Sequence, residues 1–172
     1  MRLAVARVRR HVVGAVAILR TFYSQGAAVA IDYAVRNPDR VSHLILWGGF
    51  ARGRRQRGLA EDAAESEAFI TLMRQGWGKE RSPFRDMFAS LYLPEANDDI
   101  DVSGLLAQVA CPTLVIHSER EMVAPLSEAR LMASRIPGAR FVALDSANHL
   151  VLHQEPAWRR ALDAVEEFLG HP

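Results

Sequence analysis

Apolar residues fall into short runs that alternate with stretches of helical spacing. The run from Val12 to Leu19, continuing to Phe22, reads as a buried strand. Gly26 to Arg36 reads as a helix, because Ala27, Ala28, Ala30 and Ala34 favour helix and offer small packing faces. Asn37-Pro38 stops it, since the residue before a proline is pushed out of the helical region. Val41 to Trp47 is a second strand, ended by Gly48-Gly49. Leu59 to Gln75 has helical spacing at Ala60, Ala64, Phe69, Leu72 and Met73. Pro83 to Leu93 sets Phe84, Met87, Phe88, Leu91 and Tyr92 on one face of an amphipathic helix, read as core and not as a ligand box. Val102 to Val109 is a further short helix. The last third holds a strand at Thr113 to His117 and a helix at Ser127 to Arg135 ended by Pro137-Gly138. A strand at Arg140 to Leu144 and a closing helix at Pro156 to Leu169 complete it. Strands alternating with helices predict an α/β fold, with about four mostly parallel strands covered by helices on both faces.

Composition narrows the class. The 172 residues suit one domain, and 49% hydrophobic with 24% charged is ordinary for a globular chain. A net charge of +1 points to neither nucleic acid nor an acidic membrane surface. Arg2, Arg7, Arg9 and Arg10 before Val12 to Leu19 imitate a signal peptide, but the apolar run is short and Arg20 ends it without a small-residue cleavage site. A membrane span needs about 20 apolar residues, so a cytoplasmic protein is expected. Cys111, the one cysteine, reads as a small buried hydrophobe. No metal-spaced cluster, phosphate loop or dinucleotide fingerprint is visible, so no metal and no cofactor are expected. The basic stretch Arg52 to Gly58 reads as a solvated loop, with an anion-binding patch as the sharper alternative.

Three residues could carry chemistry together. Ser24 sits between a strand and a helix, where a sharp turn would lift its hydroxyl over the carboxyl ends of the sheet. Such a turn asks for small residues two before and two after the serine; Gly26 meets this and Phe22 does not. The loop after Thr113 to His117 carries Glu119 and Glu121, and the loop after Arg140 to Leu144 carries His149. Serine, acid and histidine thus follow in the chain order of an α/β-hydrolase. Ser24 would need a base to become nucleophilic, and His149 a carboxylate to fix its tautomer. His43 and His117 read as packed residues, and His153 is the fallback base.

From about Ser24 to Leu169 the chain resembles the α/β-hydrolase superfamily, and within it bacterial hydrolase domains found alone or fused to adenylate cyclase or helix-turn-helix regulators. The resemblance is carried by Tyr23-Ser24-Gln25-Gly26, Asn37-Pro38-Asp39-Arg40-Val41, Pro112 to His117, Ile136 to Phe141 and Glu155-Pro156-Ala157-Trp158. It implies Ser24 as nucleophile, His149 as base and Glu121 as acid, four residues after His117 where an aspartate is usual. Glu119 is the competing acid. The Gln25 backbone N–H would be an oxyanion donor. The implied activity is a serine hydrolase on an ester or related acyl bond of a small molecule, with a non-catalytic ligand-sensing or interaction module, or a truncated gene product, as alternatives.

The chain also departs from that pattern. It reads as a partial α/β-hydrolase fold, the C-terminal half, in a single domain over 1–172. Residues 1–22 are atypical, about 52–100 form a short helical cap, and the family's strands before the serine strand are absent. Those strands would carry a second oxyanion donor, so impaired activity is expected. The serine strand would become an apolar edge, which predicts a homodimer or a partner chain docked around Ala15 to Phe22.

Overall fold

The computed structural model describes residues 19–53, 56–58, 99–121 and 123–170, with Glu67 and Thr71 from the intervening stretch. The expected strand before Leu19, most of the cap, and the helices expected over 59–75 and 83–93 lie outside the described residues. Glu67 and Thr71 are themselves helical.

Four strands form one parallel sheet in chain order: β1 (Leu19–Tyr23), β2 (His43–Trp47), β3 (Thr113–Ser118) and β4 (Arg140–Leu144). The register pairs Tyr23 with Trp47, Trp47 with Ile116, and Ile116 with Val142. The carboxyl ends of all four strands therefore open on one edge of the sheet. β2 and β3 are central and buried on both faces, with apolar runs at Leu44–Trp47 and Leu114–Ile116. β4 is half exposed, as an edge strand should be.

Helix α1 (Gly26–Arg36) connects β1 to β2, α2 (Leu126–Arg135) connects β3 to β4, and α3 (Pro156–Gly170) closes the fold. The buried face of α1 is Ala27, Ala28, Ala30, Ile31 and Ala34, small enough for close approach to the sheet. Its end is fixed at Asn37, whose backbone N–H and side-chain Nδ2 both donate to the Tyr33 carbonyl, at 2.9 and 3.0 Å. Alternation along β2 and β3 sends Leu44, Leu46 and Val115 to a core shared with α1 and α2. Ile45, Trp47, Leu114 and Ile116 face Ala157, Ala161 and Phe168 of α3. Cys111 lies buried in the first core, as the sequence suggests.

Two elements differ from expectation by more than a single terminal residue. The short helix expected over Val102 to Val109 is a 3₁₀ helix, Ser103–Gln108, that buries Leu106 against the α1–α2 core. The second strand begins at His43, because Pro38–Arg40 forms a 3₁₀ turn that delays entry into the sheet. No helix among the described residues is long and apolar enough to cross a membrane.

Candidate active site

Ser24 occupies the turn between β1 and α1 with φ of +54°, and no other non-glycine residue described has a positive φ. The left-handed region costs an L-residue about 1–2 kcal/mol. The turn is held by Ser24 N–H donating to Trp47 O at 3.2 Å and Ser24 O accepting from Ala27 N–H at 3.1 Å. Two close approaches make it possible. Phe22 stands where a small residue was expected, and its ring lies over Gly26: a Cβ there would sit 3.4 Å from Phe22 Cδ1. The glycine thus makes room for the larger neighbour. At Gly49 a Cβ would stand 2.3 Å from the Ala27 Cβ and 3.3 Å from Ser24 O, so this position accepts no side chain.

Glu121 and His149 meet at the same edge. His149 Nδ1 lies 2.5 Å from Glu121 Oε2. The other carboxylate oxygen, Oε1, accepts from the Ala124 N–H at 3.0 Å and lies 3.0 Å from His117 Nε2. Burial alone would raise the Glu121 pKa. Hydrogen bonds from His117 and His149, with the electrostatic attraction of the two rings, outweigh it and bring the value to about 2. Glu121 is therefore a carboxylate and an acceptor, which places the imidazole proton on His149 Nδ1 and leaves Nε2 free to accept. Glu119, the competing acid, is exposed, and only its backbone joins the sheet, to Leu144 O at 2.9 Å. His153 is exposed as well.

A polar cluster holds the His149 loop. Glu155 accepts from Ser146 Oγ (2.6 Å), Asn148 Nδ2 (2.9 Å) and Leu152 N–H (2.7 Å). Ser118 Oγ donates to Asn148 O at 2.8 Å, tying the loop to the end of β3. These residues were not singled out in the sequence, where Glu155 figures only at a helix start. The cue was the spacing of Ser146, Asn148 and Glu155 around a loop histidine.

Gln25 begins α1 in helical conformation, φ −54° and ψ −28°. Its N–H precedes the first intrahelical acceptor and is uncommitted by the helix. His43 is a packed residue, edge-on to Phe168 at 5.4 Å, as expected. His117 is fully buried, but it touches the acid, a contact the reading of a merely packed residue missed.

The basic loop is not a free patch where it is described. Arg52 forms a fork onto Glu128, whose side chain is 0% exposed, with Nη2 at 2.8 Å and Nε at 3.2 Å from Oε1. Its backbone N–H adds a third bond to Oε2 at 3.0 Å. Arg57 donates to Arg52 O at 3.2 Å and stands over the Phe50 ring. Both guanidiniums thus serve the loop, because Glu128 in the first turn of α2 needs a cation. Among the described residues no group of three or more His, Cys, Asp or Glu could hold a metal ion.

No family model matches the chain. Among solved structures, an alpha/beta hydrolase enzyme from a Medee basin deep-sea metagenome library superposes with a TM-score of 0.70 at 16% identity, covering 98% of this chain and 70% of that one. An esterase from Exiguobacterium antarcticum gives a TM-score of 0.67 at 21% identity, over 96% and 71% of the two chains. The fold is that of the α/β-hydrolases. Similar curated proteins include the serine hydrolase BPHL of Mus musculus, 23% identical over 74% of this chain and 46% of that protein. A pimeloyl-[acyl-carrier protein] methyl ester esterase of Aromatoleum aromaticum is 26% identical over 78% of this chain and 67% of that one. The chain thus spans about half the length of the mouse relative. In α/β-hydrolase terms the described sheet is a partial version of the fold, four parallel strands with helices on both faces.

Proposed function

We propose that the protein is a serine hydrolase acting on an ester or related acyl bond of a small molecule, with Ser24 as nucleophile, His149 as base and Glu121 as acid. The reading rests on one observation: a left-handed Ser24 stands on the same sheet edge as a histidine already bonded to a buried carboxylate. Similarity to a serine hydrolase and a methyl ester esterase supports it. In this scheme Ser24 Oγ attacks the acyl carbon while its proton passes to His149 Nε2. The acyl C–O bond then breaks, and the departing alkoxide takes that proton. Water, deprotonated by His149, releases the acid and restores Ser24.

Glu121 holds the imidazole in the required tautomer and stabilises its protonated form. In this reading the Gln25 N–H receives the developing oxyanion. Where Gln25 is the only donor, turnover falls by ~10²–10³ against a two-donor site. Purified protein against a panel of short-chain nitrophenyl esters tests the proposal. Hydrolysis that disappears in Ser24→Ala is the expected result; no hydrolysis of any ester, or hydrolysis that survives the substitution, counts against it.

A further inference from the structure

The buried histidine behind the acid has a geometry that packing alone does not call for. His117 is the fifth residue of β3, and strand alternation turns it, like Thr113 and Val115, to the side covered by α1 and α2. Its ring is fully buried. Nε2 lies 2.9 Å from Ala124 O and 3.0 Å from Glu121 Oε1, while Nδ1 is buried with no hydrogen-bond partner among the described residues. A ring with two acceptors at one nitrogen and none at the other carries its proton on the first. The Nε2–H thus meets the carbonyl of the tight turn at Ala124, with Glu121 Oε1 3.0 Å from the same nitrogen.

Glu121 needs such a partner. Its carboxylate is wholly buried at the end of a longer chain than an aspartate would present, with one more rotatable bond to fix. The two oxygens divide the work. Oε1 is tied to the turn by the Ala124 N–H and to β3 by His117, and Oε2 is left for His149 alone. Arg120, which follows β3, is paired with Asp145 at 2.5 Å. Among the described residues, the histidines at 117 and 149 are the ionisable groups in contact with the carboxylate.

We propose that His117 is the positioning residue of the triad acid, its Nε2–H fixing the Glu121 carboxylate so that the second oxygen presents to His149. The proposal deepens the hydrolase reading and rests on it. It also has an electrostatic consequence. A carboxylate that loses one donor becomes more basic.

Gln and Met are unbranched and close in size to each other, and at position 117 they differ chiefly in whether a donor is present. Nitrogen-15 labelling of histidine in the full chain first reads the tautomer. His117 is expected to carry its proton on Nε2, and a proton on Nδ1 would overturn the proposal without any variant. In wild type a low-field proton resonance should report the His149–Glu121 bond. His117→Met should lose it and move the acid limb of kcat/KM for ester hydrolysis upward by about one pH unit. His117→Gln should keep both near wild type. A His117→Met protein that retains the resonance and the acid limb would contradict the role. If wild type hydrolyses no ester, the hydrolase reading fails, and the tautomer and the resonance still decide whether His117 orders the acid.

Discussion

His149 lays its ring against the bare backbone of Gly48: a Cβ there would stand 3.2 Å from the ring Cε1 and 3.3 Å from Nδ1. Gly48 itself has φ of +56°. One glycine thus serves two needs, a left-handed exit from β2 and a seat for the His149 ring. Gly48→Ala should cost about 1–2 kcal/mol in the left-handed backbone. It should also displace the ring, lowering ester hydrolysis on the order of 10²-fold. Thermal unfolding and steady-state kinetics read the two effects separately. An alanine variant with wild-type kinetics would show that the ring does not depend on this contact.

The acid assignment separates cleanly. Glu121→Gln should reduce hydrolysis on the order of 10³- to 10⁴-fold, because an amide can hold the His149 tautomer the wrong way round. Glu119→Gln should change it little, as that side chain is exposed. Stability carries the same signature. The folded pKa of about 2 lies below the ordinary 4.5. The stabilisation from Glu121 is therefore full above the ordinary value and is lost as pH falls from there toward about 2. Acid titration of the unfolding midpoint should show a loss in this window that Glu121→Gln lacks. A larger kinetic effect at Glu119 would reverse the assignment.

Arg52 and Glu128 anchor the loop leaving β2 onto α2. Removing the arginine strands a buried carboxylate, so Arg52→Met should cost about 3–5 kcal/mol. The double variant Arg52→Met, Glu128→Leu should recover part of that loss, since the unpaired charge goes with it. Urea unfolding of both proteins checks this. Equal losses in the single and double variants would mean that the pair contributes packing alone.

Among the described residues β1 is paired on one side only, with β2. We expect that edge to pair with a second copy of the chain, because an apolar edge left open invites association. Light scattering at low micromolar concentration should give a dimer mass, and a stable monomer would contradict the expectation.

Most of the described fold was legible in the chain because local chemistry and global topology agree. Asn37-Pro38 stops α1 where its carbonyl needs a cap, and Gly48-Gly49 ends β2 where two side chains approach. The unbroken apolar run from Leu44 to Trp47 marks a strand buried on both faces. The meeting of Glu121 and His149 followed from their loops sharing a sheet edge. What escaped was contact between distant positions. Arg52 looks like one more charge in a basic loop until Glu128, 76 residues on, takes it. His117 looks like a packed strand residue, because nothing local shows that its Nε2 faces the acid. Phe22 breaks the small-residue rule at the serine turn, and only the space above Gly26 shows how it is accommodated.

The central claim is that Ser24 is a nucleophile activated by His149. Labelling with a fluorophosphonate probe tests it most directly, because the probe reacts with an activated serine whatever the natural substrate. The expected result is a single adduct on Ser24, absent in Ser24→Ala and in His149→Ala, and slow to form if Gln25 is the only oxyanion donor. Equal labelling of wild type and Ser24→Ala, or labelling of wild type that maps to another residue, would contradict the account.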